Sequence, residues 1–196
     1  MSLFNKVDLQ KKYDSISRGL YKSASTILLE DSRSFSEYKT YDVFLSHSSL
    51  DASYILAISE EIKDLGFTVY VDWIEDPALD RKNVNKHTAA KLRERMKNSK
   101  SLFYATSVNS SDSKWMPWEL GYFDGIKSKV AILPVYDSPK YLANYKGQEY
   151  LGLYPFVAKG KIQNKNEEAL WIHYDENTYV NFYFWLNQGK QPYKHY

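Results

Sequence analysis

From Tyr41 onward, apolar positions alternate between short continuous runs and stretches spaced by three or four residues. Such runs mark strands covered on both faces, and such spacing marks amphipathic helices. Val43, Phe44 and Leu45 form the first run, which ends in Ser46, His47, Ser48 and Ser49. Ser48 with Asp51 three residues later predicts a helix start. Tyr54, Ile55, Ile58, Ile62 and Leu65 line one side of that helix, and Gly66 stands where it should end. Phe67, Val69, Tyr70, Val71 and Trp73 predict a second strand, and a basic helix is expected from Val84 to Asn98. Leu102 to Ala105 read as a third strand, Trp115 to Ile126 as a helix, and Val130 to Tyr136 as a fourth, strongly apolar strand. Strands separated by helices of this length pair in parallel through right-handed crossovers. The expected fold is α/β, a flavodoxin-like doubly wound parallel sheet of four to five strands.

The flanks read differently. Leu9, Tyr13, Ile16, Leu20, Ala24 and Ile27 are spaced as one helical face, weakened at Gly19. Residues 1–40 are therefore expected to be an N-terminal helical extension and linker, packed through Tyr13, Ile16 and Leu20 on the body or on a second subunit. Residues 41–196 form the main domain with a C-terminal elaboration. Within that elaboration, Pro139–Gly152 predicts a short helix, Phe156–Ile162 and Ala169–Tyr174 strands, and Thr178–Asn187 a terminal helix.

Composition narrows the function classes. Lys and Arg number 26 against 24 Asp and Glu, a net charge of only +2. This gives no electrostatic reason to expect nucleic acid or an anionic membrane as partner. Cysteine is absent, which rules out disulfides and thiolate metal sites and fits a reducing, cytoplasmic setting. The opening residues mix charges with apolar residues and do not read as a signal peptide, and no apolar run approaches membrane-spanning length. Aromatic residues are abundant, with 18 Tyr, 9 Phe and 5 Trp. They suit half-wet pockets and interfaces, and an aromatic-rich core equally well.

Three segments, in order and at matching spacing, carry a resemblance. They are Tyr41-Asp42-Val43-Phe44-Leu45-Ser46-His47-Ser48-Ser49-Leu50-Asp51, Val69-Tyr70-Val71-Asp72-Trp73, and Ser113-Lys114-Trp115-Met116-Pro117-Trp118-Glu119-Leu120-Gly121-Tyr122-Phe123. Together they resemble bacterial Toll/interleukin-1 receptor (TIR) domains, over roughly Tyr41 to Tyr136. The whole is similar to the TIR subunit of Thoeris anti-phage systems. That resemblance implies the TIR fold and cleavage of NAD, held as substrate without a separate cofactor or metal. It also implies a cyclised ADP-ribose messenger for a separate effector, and self-association through TIR contacts. It places the catalytic glutamate at Glu119. The loop after the second strand carries Pro77-Ala78 where receptor TIR domains commonly carry Pro-Gly, which speaks against a receptor-style adaptor contact there.

The chemistry fits. In doubly wound sheets ligands sit beyond the carboxyl ends of the strands, where Ser46, His47, Ser48, Asp72, Trp73 and Trp115 are expected as substrate-binding residues. Ser48 serves equally as a helix cap, His47 as a packed loop residue, and Asp72 as a strand terminator. Pro117 places the helix start near itself and Glu119 in the first turn, where the helix dipole favours a carboxylate. Breaking the nicotinamide–ribose bond develops an oxocarbenium-like cation, and nicotinamide leaves neutral from a cationic parent. One carboxylate facing that cation suffices. From spacing alone, Glu119 is also an ordinary first-turn glutamate; the neighbouring Trp115 and Trp118 and the resemblance favour catalysis. The rival reading is a non-catalytic TIR scaffold, since fold alone fixes no function. A nucleoside or nucleotide glycosidase of related architecture is third.

Overall fold

The computed structural model describes residues 1–33, 38–48, 51–72, 86–107, 110, 113–140, 142 and 149–194. Five strands form the parallel core: β2 (Tyr41–Ser46), β3 (Val69–Val71), β4 (Ser99–Thr106), β5 (Val130–Tyr136) and β6 (Phe156–Lys161). Their order in the sheet is β3-β2-β4-β5-β6. The first strand of this core thus lies between the second and third, which is the flavodoxin-like winding. The crossovers are α3 (Ala52–Asp64), α4 (Lys86–Lys97) and α5 (Trp115–Lys127).

Strand alternation sorts the core into two layers. Val43, Leu45, Val71, Phe103 and Leu133 point to one side, where they pack with apolar residues of α3 and of the terminal helices described below. Phe44, Tyr70, Leu102, Tyr104 and Ile132 point to the other, against Leu92 and Met96 of α4 and Trp115, Met116, Leu120 and Phe123 of α5. Every strand is covered twice, which is why its sequence reads as an apolar run.

The N-terminal segment departs from the expected single helix. Phe4–Asn5 (β1) is a strand, pairing in parallel with Val135 and Tyr136 of β5. Ser2 exchanges backbone hydrogen bonds of 2.8 and 2.9 Å with Lys159 of β6. β5 and β6 pair directly at Ile132 and Phe156, and the N-terminal residues satisfy backbone groups further along both strands. Two helices follow, α1 (Lys6–Leu20) and α2 (Ala24–Arg33). Tyr21 adopts the left-handed conformation that ends α1, and the Ser23 hydroxyl accepts the Thr26 N–H at the start of α2. The three-four spacing runs straight through this break, so periodicity alone does not show it. Tyr13 and Ile16 pack on the body as expected, but Leu20 is 52% exposed, and Leu9 is the fully buried contact.

The C-terminal elaboration extends the sheet in antiparallel fashion through β7 (Glu168–His173), β8 (Thr178–Asn181) and β9 (Tyr193–Lys194). Thr178–Asn181 is thus a strand rather than the start of the terminal helix. Helix α6 (Phe182–Gln188) begins only after Asn181, whose side chain caps the Tyr183 N–H at 2.9 Å. At the C-terminal end of the predicted helix over 139–152 stands a 3₁₀ turn, Glu149–Leu153, and residues 141 and 143–148 lie outside the described residues. The predicted start of the basic helix at Val84 lies outside the described residues.

Because Leu9 lies in the common core, Leu9→Ala should cost about 2–5 kcal/mol. Leu20→Ala should stay within about 0.5 kcal/mol. Urea denaturation compares the two, and equal midpoints would show that the extension does not share the core.

Candidate active site

The order β3-β2-β4 puts a topological switch point between β2 and β4, where the chain leaves toward opposite faces of the sheet. Register sets the residues there. Ser46 lies opposite Tyr104, and Leu45 opposite Val71. Asp72 follows Val71 as Ser46 follows Leu45, so Asp72, Ser46 and Tyr104 form a row across three strands. By alternation the row faces α5.

Glu119 meets this row from the helix. The buried stripe of α5 consists of Trp115, Met116, Glu119, Leu120 and Phe123. A carboxylate therefore interrupts an otherwise apolar face and is 1% exposed. Isolated buried charge is costly unless donors compensate it. The Ser46 hydroxyl donates to Glu119 Oε2 at 2.5 Å, within the range of charge-assisted O–H···O⁻ bonds.

The helix starts earlier than Pro117. Trp115 is its first residue and the Ser113 hydroxyl accepts the Met116 N–H at 3.3 Å. Pro117 is tolerated there because first-turn N–H groups lack intrahelical partners anyway. Glu119 accordingly sits past the first turn, so its contact with Ser46 carries more of its local stabilisation than the helix terminus.

The flanking groups are tied down. The Tyr70 hydroxyl donates to Asp72 Oδ1 at 3.2 Å. Burial and the Asp72 charge push that phenol far above its usual range, so it remains a donor. Tyr104 is raised likewise, first by burial, then by a hydrogen bond and charge interaction with Tyr150 and by the Glu119 charge. His47 and Ser48 are buried beside Ser46. The His47 Nδ1 lies 3.2 Å from the Ser48 carbonyl, which it bonds in the tautomer that has the proton on Nδ1. Ser48 is not the cap of α3. Asp51 holds that position without a side-chain cap bond, and its carboxylate instead accepts from the Ser107 hydroxyl. That bond joins the loops on either side of the switch point.

Trp115 is buried, with the Trp118 ring edge-on at 5.5 Å. Trp118 stacks on Tyr122, and Arg93 of α4 lies over both rings. It therefore belongs to the α4–α5 surface. Trp73 lies outside the described residues. Arg95 places its guanidinium 6.0 Å from the Tyr70 ring centre, one strand away from the row's centre. Among the described residues no group of three or more His, Cys, Asp or Glu could hold a metal ion. Nor is any helix among the described residues long and apolar enough to cross a membrane.

Comparison with known proteins places the chain in a family. The chain is 54% identical over 194 residues to "Probable 3' cyclic ADP-D-ribose synthase ThsB'" of Bacillus cereus (strain MSX-D12), covering 96% of this chain and 100% of that protein. The chain belongs to the ThsB' family of Thoeris TIR-domain proteins. It is also 36% identical over 93 residues to "Putative cyclic ADP-D-ribose synthase TIR2" of Cytobacillus dafuensis, covering 47% of this chain and 24% of that protein. No family model matches. Tyr150, which sequence reasoning did not single out, lies in the 3₁₀ turn, in a stretch with no periodicity, and is among the groups that raise the Tyr104 phenol.

Proposed function

We propose that the chain is an NAD-processing enzyme of anti-phage defence, breaking the nicotinamide–ribose bond and releasing a cyclic ADP-ribose. The observation that carries this reading is the buried Glu119 carboxylate, held by Ser46 at the switch point. The bonding pair of the glycosidic C–N bond departs with nicotinamide, which becomes neutral. The ribose carbon left behind is an oxocarbenium-like cation, and the carboxylate stabilises it in a site that excludes water. A hydroxyl of the same molecule then attacks that carbon, and its proton passes to Glu119 and on to solvent. The name of the Bacillus cereus relative favours ring closure at a 3' position.

NAD is substrate, and the proposed step draws on a protein carboxylate without metal or cofactor. The product acts as a diffusible messenger to a separate effector in the cytoplasm, and self-association through TIR contacts brings the chain to its active state. Ser46, Asp72 and Trp115 are the proposed substrate contacts, with His47 and Ser48 shaping the loop beneath the ribose.

Incubation of the full chain with NAD, followed by mass spectrometry, tests the proposal. Nicotinamide should appear with a nucleotide one water lighter than ADP-ribose. Absence of nicotinamide release would favour the scaffold reading, and a dominant linear ADP-ribose would leave a plain NAD hydrolase.

A further inference from the structure

A side-chain bond other than Ser46–Glu119 also crosses the switch point: the Ser107 hydroxyl donates to the Asp51 carboxylate. Asp51 is 4% exposed and occupies the N-cap of α3, where an aspartate ordinarily accepts a backbone N–H of its own helix. Here it makes no such cap bond and reaches to the loop after β4 instead. A local preference given up for a contact 56 positions away marks a residue held for something other than its own helix. From Ser107, bonds at a spacing of three residues lead to α5. The Ser107 carbonyl accepts the Ser110 hydroxyl at 2.7 Å and the Ser110 N–H at 3.1 Å. The Ser110 carbonyl accepts the Ser113 N–H at 3.2 Å, and the Ser113 hydroxyl accepts the Met116 N–H at 3.3 Å. Met116 and Glu119 are neighbours on the buried stripe of α5. On the opposite side, the Asp51 N–H donates at 3.2 Å to the carbonyl of Ser48, two residues beyond Ser46. Each end of the Asp51–Ser107 bond is thus linked by short-range contacts to one partner of the Ser46–Glu119 bond.

We propose that Asp51 is a positioning residue for Glu119: by holding Ser107 it fixes the loop that seats the start of α5, and with it the place where the Glu119 carboxylate meets Ser46. The inference rests on the function proposed above. A side chain near the start of a helix is only as fixed as the first turn beneath it. First-turn amides lack intrahelical partners, so the preceding loop has to supply them, here through Ser113. A hydroxyl bonded to an ionised carboxylate is stronger than a bond between neutral groups, and the burial of Asp51 strengthens it further. Without that bond the loop and the first turn of α5 gain freedom to shift. A displacement of about 1 Å in a reacting group is enough to slow the chemical step. The loss falls on kcat, because Asp51 acts through Glu119 and not on the bound substrate.

Asp51→Ala and Ser107→Ala remove the bond from opposite sides, and Asp51→Asn keeps an acceptor for the Ser107 hydroxyl. Circular dichroism checks that each remains folded. Ser107 is only half-buried, and Ser107→Ala carries the test if Asp51→Ala does not fold. With NAD, kcat for nicotinamide release should fall about fivefold in either alanine variant, while KM stays within about twofold. The double alanine variant should be no slower than the slower single one, since both remove the same bond. Asp51→Asn should recover most of the loss. An unchanged kcat in the alanine variants overturns the inference. A rise in KM at constant kcat also overturns it, because that marks a direct substrate contact. Asp51→Asn as slow as Asp51→Ala overturns it too, because the charge and not the bond would then be what acts. Amide hydrogen exchange stands apart from turnover. The Met116, Trp118 and Glu119 amides should exchange about tenfold faster in the alanine variants, with those of β5 unchanged. Unaltered exchange at these amides overturns the inference even if the chain releases no nicotinamide, an outcome that would separately refute the proposed function.

Discussion

Glu119→Gln is expected to abolish turnover of NAD almost completely while leaving the fold as stable as before, or more so. The two effects have opposite signs for one reason. In the resting protein the carboxylate is a buried charge on an apolar helix face, desolvated and partly compensated by Ser46. Replacing it with a neutral amide of the same shape removes the desolvation cost. The Ser46 hydroxyl accepts from the new amide as readily as it donates to the old carboxylate. During reaction the same charge faces a developing cation, and an amide offers only a dipole. Losing one such electrostatic partner costs about 10²-fold or more in rate. Nicotinamide release and thermal unfolding of the same variant check both halves. Near-normal turnover would mean that the glutamate is structural; a large fall in melting temperature would mean that the loss of activity reports unfolding.

Ser46→Ala carries the second largest effect, and here both signs agree. The variant leaves the Glu119 carboxylate buried without its Ser46 donor. Breaking a bond to a buried charged group costs about 1–3 kcal/mol of stability. The carboxylate also loses the contact that fixes its position, and misplacement of a reacting group by about 1 Å can cost 10²-fold in rate. Turnover should fall about tenfold or more, with kcat affected more than KM if Ser46 acts mainly through Glu119. In a double-mutant cycle, Ser46→Ala should cost far less stability in the Glu119→Gln background, because the charge it serves has gone. Additive effects would show that the two side chains do not act as a unit.

These expectations depend on two layers of information that the chain supplies in different ways. The α5 segment shows the boundary well. Its apolar positions Trp115, Met116, Leu120 and Phe123 predict a buried face, and Glu119 falls on that face. A carboxylate within a buried stripe is a signal for a functional group, and it is stronger than the first-turn placement inferred from Pro117. Pro117 misleads because a proline is tolerated throughout the first turn, so it marks a region rather than the first residue.

The sequence by itself determined the succession of strands and helices in the parallel core, the TIR resemblance and the choice of Glu119. All of these rest on local pattern: apolar runs for strands covered twice, spacing of three and four for helices, and short contiguous motifs. Only the tertiary structure decided which side chains meet. Ser46 and Glu119 are 73 positions apart, and what joins them is the sheet order that sets β2 beside β4 and the register that sets Ser46 opposite Tyr104. The two-residue strand Phe4–Asn5 is too short to show a period, and the break between α1 and α2 keeps the helical spacing on both sides. Thr178–Asn181 becomes a strand because it pairs with β7, not because of its own propensity. Contacts of this kind are made between elements distant in the chain, and no periodicity within either element encodes its partner.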